Sequence, residues 1–123
     1  MSKVFVYGSL RKGGRLHGAL VGCEFITTCR TKPEYSLRSL GAFPALCPGG
    51  DTAVLGEVYE VSELIKQRLD QIEGHPRLYV RTPIVVGDDI EVEAYLFHHN
   101  VKDEDLIASG DWIEYAGTAP SLV

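Results

Sequence analysis

The sequence predicts an α+β fold: a small mixed β-sheet, curled toward a barrel, with one main helix packed on it and short helical turns beside it. Three observations carry this. Short apolar or alternating runs recur along the chain and read as strands. Only the stretch from Ser62 to Gly74 carries both a helix start and a helix stop signal around a long amphipathic pattern. The last two strands flank Gly87-Asp88-Asp89, which reads as a hairpin turn. With 123 residues the chain is long enough for one real core, so residues 1–123 are read as a single domain.

Taken in order, Lys3–Tyr7 is the first strand. Val4 and Val6 lie on one face and Phe5 and Tyr7 on the other, so it belongs in the middle of the sheet. Gly8 to Gly14 is a loop, and Leu16–Leu20 has room for one helical turn. Cys23–Thr31 and Tyr35–Leu40 are strands. Ala42–Asp51, with two prolines and two glycines, reads as an irregular loop. Ala53–Val61 is a clear strand. Ser62 is a good N-cap, and the helix runs to about Glu73 with Leu64, Ile65, Leu69 and Ile72 on its buried side. Gly74 suits the left-handed closing position. Tyr79–Val86 and Ile90–Phe97 are strands, and Pro83 places the former at an edge or a bulge. Beyond His99 the chain turns polar, with a short helix at Asp103–Ala108 and a loose tail at Pro120–Val123.

Composition narrows the function classes. The charged fraction of 24% and hydrophobic fraction of 45% suit a soluble globular protein. A net charge of -5 argues against nucleic acid as a partner. The one small basic cluster, Arg11, Lys12 and Arg15, reads as a solvated loop. No segment has the roughly 20 apolar residues that span a bilayer, and no leader precedes the first strand. Cys23, Cys29 and Cys47 form no CxxC spacing, which suggests a reduced, cytoplasmic compartment.

Two segments carry candidate chemistry. In YGSLRKGG the Lys-Ser/Thr of a phosphate loop is missing, but a strand running into a Gly turn can still offer backbone N–H groups to a small anion. Ser9 has no nucleophile elbow and no His and Asp set around it. His98 and His99 face opposite sides of a strand and cannot share a metal, and His17 and His75 are isolated. Glu73 ends a helix, where partial negative charge disfavours an acid. It also follows Leu69 and Ile72 on the buried edge. Tyr79 and Arg81 then share a strand face; Arg81 either pairs with an acid or lines the sheet edge. Read alone, the loop is first an ordinary tight turn and Glu73 first a solvated helix-end acid.

Together these residues resemble the γ-glutamylcyclotransferase-like superfamily, which also holds the AIG2-like proteins. The resemblance rests on VYGSL at Val6–Leu10, GAFPAL at Gly41–Leu46, GEVYEV at Gly56–Val61, LDQIEGHPRLYVR at Leu69–Arg81, and SGDW at Ser109–Trp112 followed by Tyr115. The E-x-x-P-x-x-Y-x-R pattern from Glu73 is similar to the γ-glutamylamine branch. Leu16 departs from it, since many members of that branch carry Asn there.

The resemblance implies a compact β-barrel with helices, no cofactor and no metal, and one essential glutamate, Glu73. It maps the substrate loop onto Tyr7, Gly8, Ser9 and Leu10, and pocket tyrosines onto Tyr79 and Tyr115. The implied partner is a small-molecule γ-glutamyl substrate, taken by a monomer or weak homodimer. The implied reaction is intramolecular aminolysis releasing 5-oxoproline and an amine. A non-catalytic binding module of the same fold is one alternative. A biosynthetic enzyme that removes a γ-glutamyl protecting group is another. The Glu73-to-Tyr79 spacing and the net negative charge favour a γ-glutamyl-amine whose leaving group is cationic.

Overall fold

The structure is a computed structural model and describes residues 1–118. Its strands are β1 (Ser2–Val6), β2 (Glu24–Arg30), β3 (Tyr35–Ser39), β4 (Pro44–Pro48), β5 (Leu55–Val61), β6 (Tyr79–Val86) and β7 (Ile90–Phe97). Its helices are α1 (Glu63–Glu73) and α2 (Trp112–Thr118), with 3-10 turns at His17–Leu20 and Asp103–Asp105. Five strands form one sheet in the order β2-β5-β1-β7-β6, and β3 pairs with β4 in a second.

The sheet is mixed, as predicted: β1 runs antiparallel to β5 and parallel to β7. β1 takes the central position its two apolar faces require, and Val4, Phe5 and Val6 are all buried. The two edges of the sheet meet. Thr31, just past β2, bridges Val86 at the end of β6, and the Gly87 N–H donates to the Arg30 carbonyl at 2.9 Å. This contact curls the sheet toward a barrel. β6 is the edge strand that Pro83 demands.

Alternation along β1 feeds two apolar clusters. Phe5 and Tyr7 pack with Leu37 and Leu46 of the β3–β4 hairpin and with Trp112 of α2. Val4 and Val6 pack on the other side with Leu69 of α1, Leu10, Leu20, Tyr79 and Tyr95. Ser62 caps α1 by accepting the Ile65 N–H at 3.2 Å.

Four expectations are corrected. Within Ala42–Asp51, residues Pro44–Pro48 are β4, not irregular loop; the prolines stand at the two ends of the strand, where a missing N–H disturbs the ladder least. The Asp103–Ala108 helix stops at Asp105, because Leu106 bridges Arg38 and the Ile107 N–H donates to the Leu37 carbonyl at 2.7 Å. Helix α2 was not expected; its first turn is started by Asp111, whose Oδ1 accepts the Glu114 N–H at 3.2 Å. On α1 only Leu69 is fully buried, Ile65 is partly covered, and Leu64 and Ile72 are exposed. The tail at Pro120–Val123 lies outside the described residues.

Candidate active site

Glu73 is the last residue of α1. Gly74 adopts the left-handed conformation (φ 65°, ψ 34°) and its N–H donates to the carbonyls of Asp70 and Gln71, which ends the helix there. The chain then passes through the cis His75–Pro76 peptide into β6. At the same time β1 runs out into the Gly8 turn. The two segments face each other across a cleft of about 140 Å³ lined by Tyr7, Gly8, Ser9, Leu10, Glu73 and Tyr79. These are six of the seven residues singled out from the sequence. Tyr115 stands apart on α2, with its ring 5.6 Å from that of Trp112, and is not among the residues lining the cleft.

Burial pushes the Glu73 carboxyl from its ordinary 4.5 up to about 7. Burial first, and the charge of Glu73 second, raises the hydroxyls of Tyr7 and Tyr79 above the usual phenol range. Both tyrosines are therefore protonated at neutral pH, and both protons are already placed. Tyr7 donates to the Tyr95 carbonyl at 2.5 Å and Tyr79 to the Pro44 carbonyl at 2.6 Å. Tyr79 can only accept a hydrogen bond from a ligand.

The opposite wall is backbone. Among the described residues the N–H groups of Gly8, Ser9 and Leu10 have no protein acceptor, while the loop around them is closed by its own bonds: Arg11 N–H to the Gly8 carbonyl at 3.0 Å and Leu16 N–H to the Ser9 carbonyl at 2.9 Å. Gly8 is required by close approach, since a Cβ there would stand 2.6 Å from Pro44 Cγ. Three adjacent donors without partners form a ready cradle for an anion.

Two charged networks fix the walls. The solvated-loop reading of Arg11 is corrected: its side chain is buried. Its Nε donates to Glu57 at 3.4 Å and its Nη1 to Asp111 at 2.8 Å. Glu57 also accepts the Lys12 N–H and the Tyr59 hydroxyl, each at 2.9 Å. The loop is thereby bolted to β5 and to the start of α2. Burial alone would raise the Asp111 carboxyl, but its bonds from Arg11 and the backbone hold it below the usual range. At the helix end, Arg81 pairs with Asp70 and with Glu93, the latter at 2.7 Å, and Tyr95 donates to Asp70 at 2.7 Å. Arg81 is thus the acid's partner rather than a bare edge residue. Burial would raise Asp70 too, but the bonds from Arg81 and Tyr95 outweigh it and lower the carboxyl. Asp70 lies one turn before Glu73, so this network sets where Glu73 stands.

Sequence reasoning missed Arg11, Glu57, Asp111 and Tyr95. Tyr95 alternates with Glu93 and Phe97 along β7, which marks a shared face, but nothing local says that this face meets Asp70. Among the described residues no three His, Cys, Asp or Glu side chains converge to hold a metal ion, and no helix is long and apolar enough to cross a membrane.

Known proteins share this sequence and this architecture. The family model of gamma-glutamyl cyclotransferase, AIG2-like, matches residues 4–114. A Methanocaldococcus jannaschii protein provisionally named a gamma-glutamylcyclotransferase is 37% identical over 121 residues, covering 95% of this chain and 100% of its own. Gamma-glutamylaminecyclotransferase A of Danio rerio is 34% identical over 128 residues, covering 94% of this chain and 80% of its own. The crystal structure of an AIG2-like protein from Mus musculus superposes with a TM-score of 0.79 at 27% identity, covering 91% of this chain and 88% of that one.

Proposed function

Because the chain belongs to the AIG2-like gamma-glutamyl cyclotransferase family, we propose that it converts a small γ-glutamyl compound into 5-oxoproline and a free amine by intramolecular aminolysis, with Glu73 moving the proton. One observation carries this reading. A half-buried carboxyl with a pKa of about 7 shares one small cleft with the N–H groups of Gly8, Ser9 and Leu10, which have no protein acceptor among the described residues.

In the reaction the substrate's α-carboxylate accepts hydrogen bonds from Gly8, Ser9 and Leu10. This holds the α-ammonium toward Glu73 and the Tyr79 oxygen, both acceptors. The Glu73 carboxylate takes one proton from the ammonium. The freed amine attacks the γ-carbonyl carbon of the same molecule, forming the new C–N bond and placing the π electrons on oxygen. When the tetrahedral centre collapses, the old C–N bond breaks and the leaving nitrogen takes that proton from Glu73. The ring nitrogen still carries a second surplus proton, which the re-ionised Glu73 passes to the departing amine, so that the amine leaves as an ammonium. The products are the five-membered lactam and the amine, and Glu73 is ionised again. The nucleophile is tethered, so the fold has only to hold the chain bent. An acid near pH 7 serves both directions of proton transfer. Tyr115 supports the loop from behind, through Trp112, whose Cδ1 lies 4.0 Å from the Cβ position of Gly8.

The test is mass-spectrometric detection of 5-oxoproline from a panel of γ-glutamyl compounds. At least one should release it far above the buffer rate. Binding of the panel without any 5-oxoproline would favour a non-catalytic binding module.

A further inference from the structure

We propose that Arg15, laid against the Phe43 ring at the mouth of the cleft, binds a carboxylate on the leaving group, so that the chain selects γ-glutamyl derivatives of apolar α-amino acids. The inference rests on the cyclotransferase reading above for which end of the substrate faces outward.

Cleft size decides where the leaving group lies. About 140 Å³ is well below the roughly 300–1,000 Å³ of pockets that enclose drug-sized ligands. The glutamyl half, anchored at Gly8–Leu10 and Glu73, fills the depth, and the amine portion must lie on the rim. The rim is built from Arg15, Leu16, Phe43, Ile72 and Leu78. Its four apolar members are exposed by 38%, 42%, 41% and 44% in that order, so large hydrophobic side chains gather at one opening instead of scattering. An apolar side chain on the leaving group would cover them.

Arg15 supplies the polar half of the recognition. Glu73 and Arg15 are the only acidic or basic side chains lining the cleft among the described residues. Arg11, Arg38 and Arg81 are each paired with a carboxylate, whereas Arg15 has none among the described residues. Its guanidinium carbon stands 5.7 Å from the centre of the Phe43 ring. That contact restrains the side chain at the opening and leaves its N–H groups to meet an acceptor. The glutamyl α-carboxylate is already served by the deeper backbone N–H groups, so the carboxylate at the rim belongs to the other half of the substrate.

The net charge of -5 pointed instead to a cationic leaving group. That field is spread over the surface and is screened beyond roughly 8 Å at physiological salt. A guanidinium in contact outweighs it.

The experiment compares γ-glutamyl-phenylalanine with γ-glutamyl-phenethylamine, which differ only in the leaving-group carboxylate. Both 5-oxoproline release and calorimetric Kd are read for wild type, Arg15→Gln and Arg15→Glu. Wild type should favour the acid by about tenfold in kcat/KM, the low end for a charge-assisted hydrogen bond because Arg15 is exposed. Arg15→Gln should bring the ratio to about one, and Arg15→Glu should invert it. A wild-type ratio at or below one, or a ratio unmoved by Arg15→Gln, overturns the proposal. Absence of 5-oxoproline from both compounds would defeat the proposed reaction instead. The Kd ratio in the same three proteins then decides the role of Arg15 independently.

Discussion

Glu73 is a residue whose address was legible and whose environment was not. Ser62 and Gly74 bracket α1 by local rules, so the acid's place at the helix end follows from neighbours in sequence. Glu73 is desolvated in a cleft shared with Tyr7 and Leu10, far away along the chain, and no local pattern reports that cleft. Burial has a stability consequence with a definite sign. The folded carboxyl holds its proton up to about 7 while the unfolded one releases it near 4.5. The folded state therefore binds more protons across that window, and stability falls as pH rises through it. Gln cannot ionise. Glu73→Gln should raise Tm over wild type more at pH 8 than at pH 5, with a gain of up to about 3 kcal/mol at the higher pH. Thermal unfolding at the two pH values checks this; an equal difference at both would mean that the carboxylate remains hydrated. Tyr79 shows the opposite kind of surprise. Its position at the cleft was legible, but its hydroxyl proton belongs to Pro44, a partner placed by a strand that the sequence reading took for a loop.

At the scale of elements, the loop after β1 depends on a buried ion pair that its composition disguised. Basic residues in a Gly-rich stretch read as solvent-facing, and Lys12 and Arg15 are exposed. Arg11 is not, because Glu57 of β5 and Asp111 before α2 reach it. Arg11→Met would leave Glu57 buried with only the Lys12 N–H and the Tyr59 hydroxyl. Breaking such a pair costs about 3 kcal/mol or more, and the slackened loop should lower kcat/KM as well. Lys12→Ala should stay within about 0.5 kcal/mol, since only the backbone of Lys12 contacts Glu57. Urea unfolding of both variants, with activity measured alongside, separates the two. β4 escaped the sequence reading for a related reason: its prolines and the glycines after it obey turn rules, while its pairing with β3 is a tertiary fact.

Across the whole molecule, the parts set by period and punctuation were legible: the mixed sheet, the central first strand, the edge position of β6 and the single main helix. The parts made by closure were not. The meeting of Thr31 with Val86, the cleft between the β1 loop and the end of α1, and the contact of Arg15 with Phe43 at its rim arise only when distant segments are brought together. That assembly sets the N–H groups of Gly8, Ser9 and Leu10 across one cleft from Glu73. The most direct test of this arrangement is turnover by Glu73→Gln, measured as 5-oxoproline release on a substrate that wild type converts, with folding followed by circular dichroism and substrate binding by calorimetry. The variant should fold and bind while kcat falls by roughly 10²–10⁴-fold; near-normal turnover by a folded Glu73→Gln protein would contradict the account.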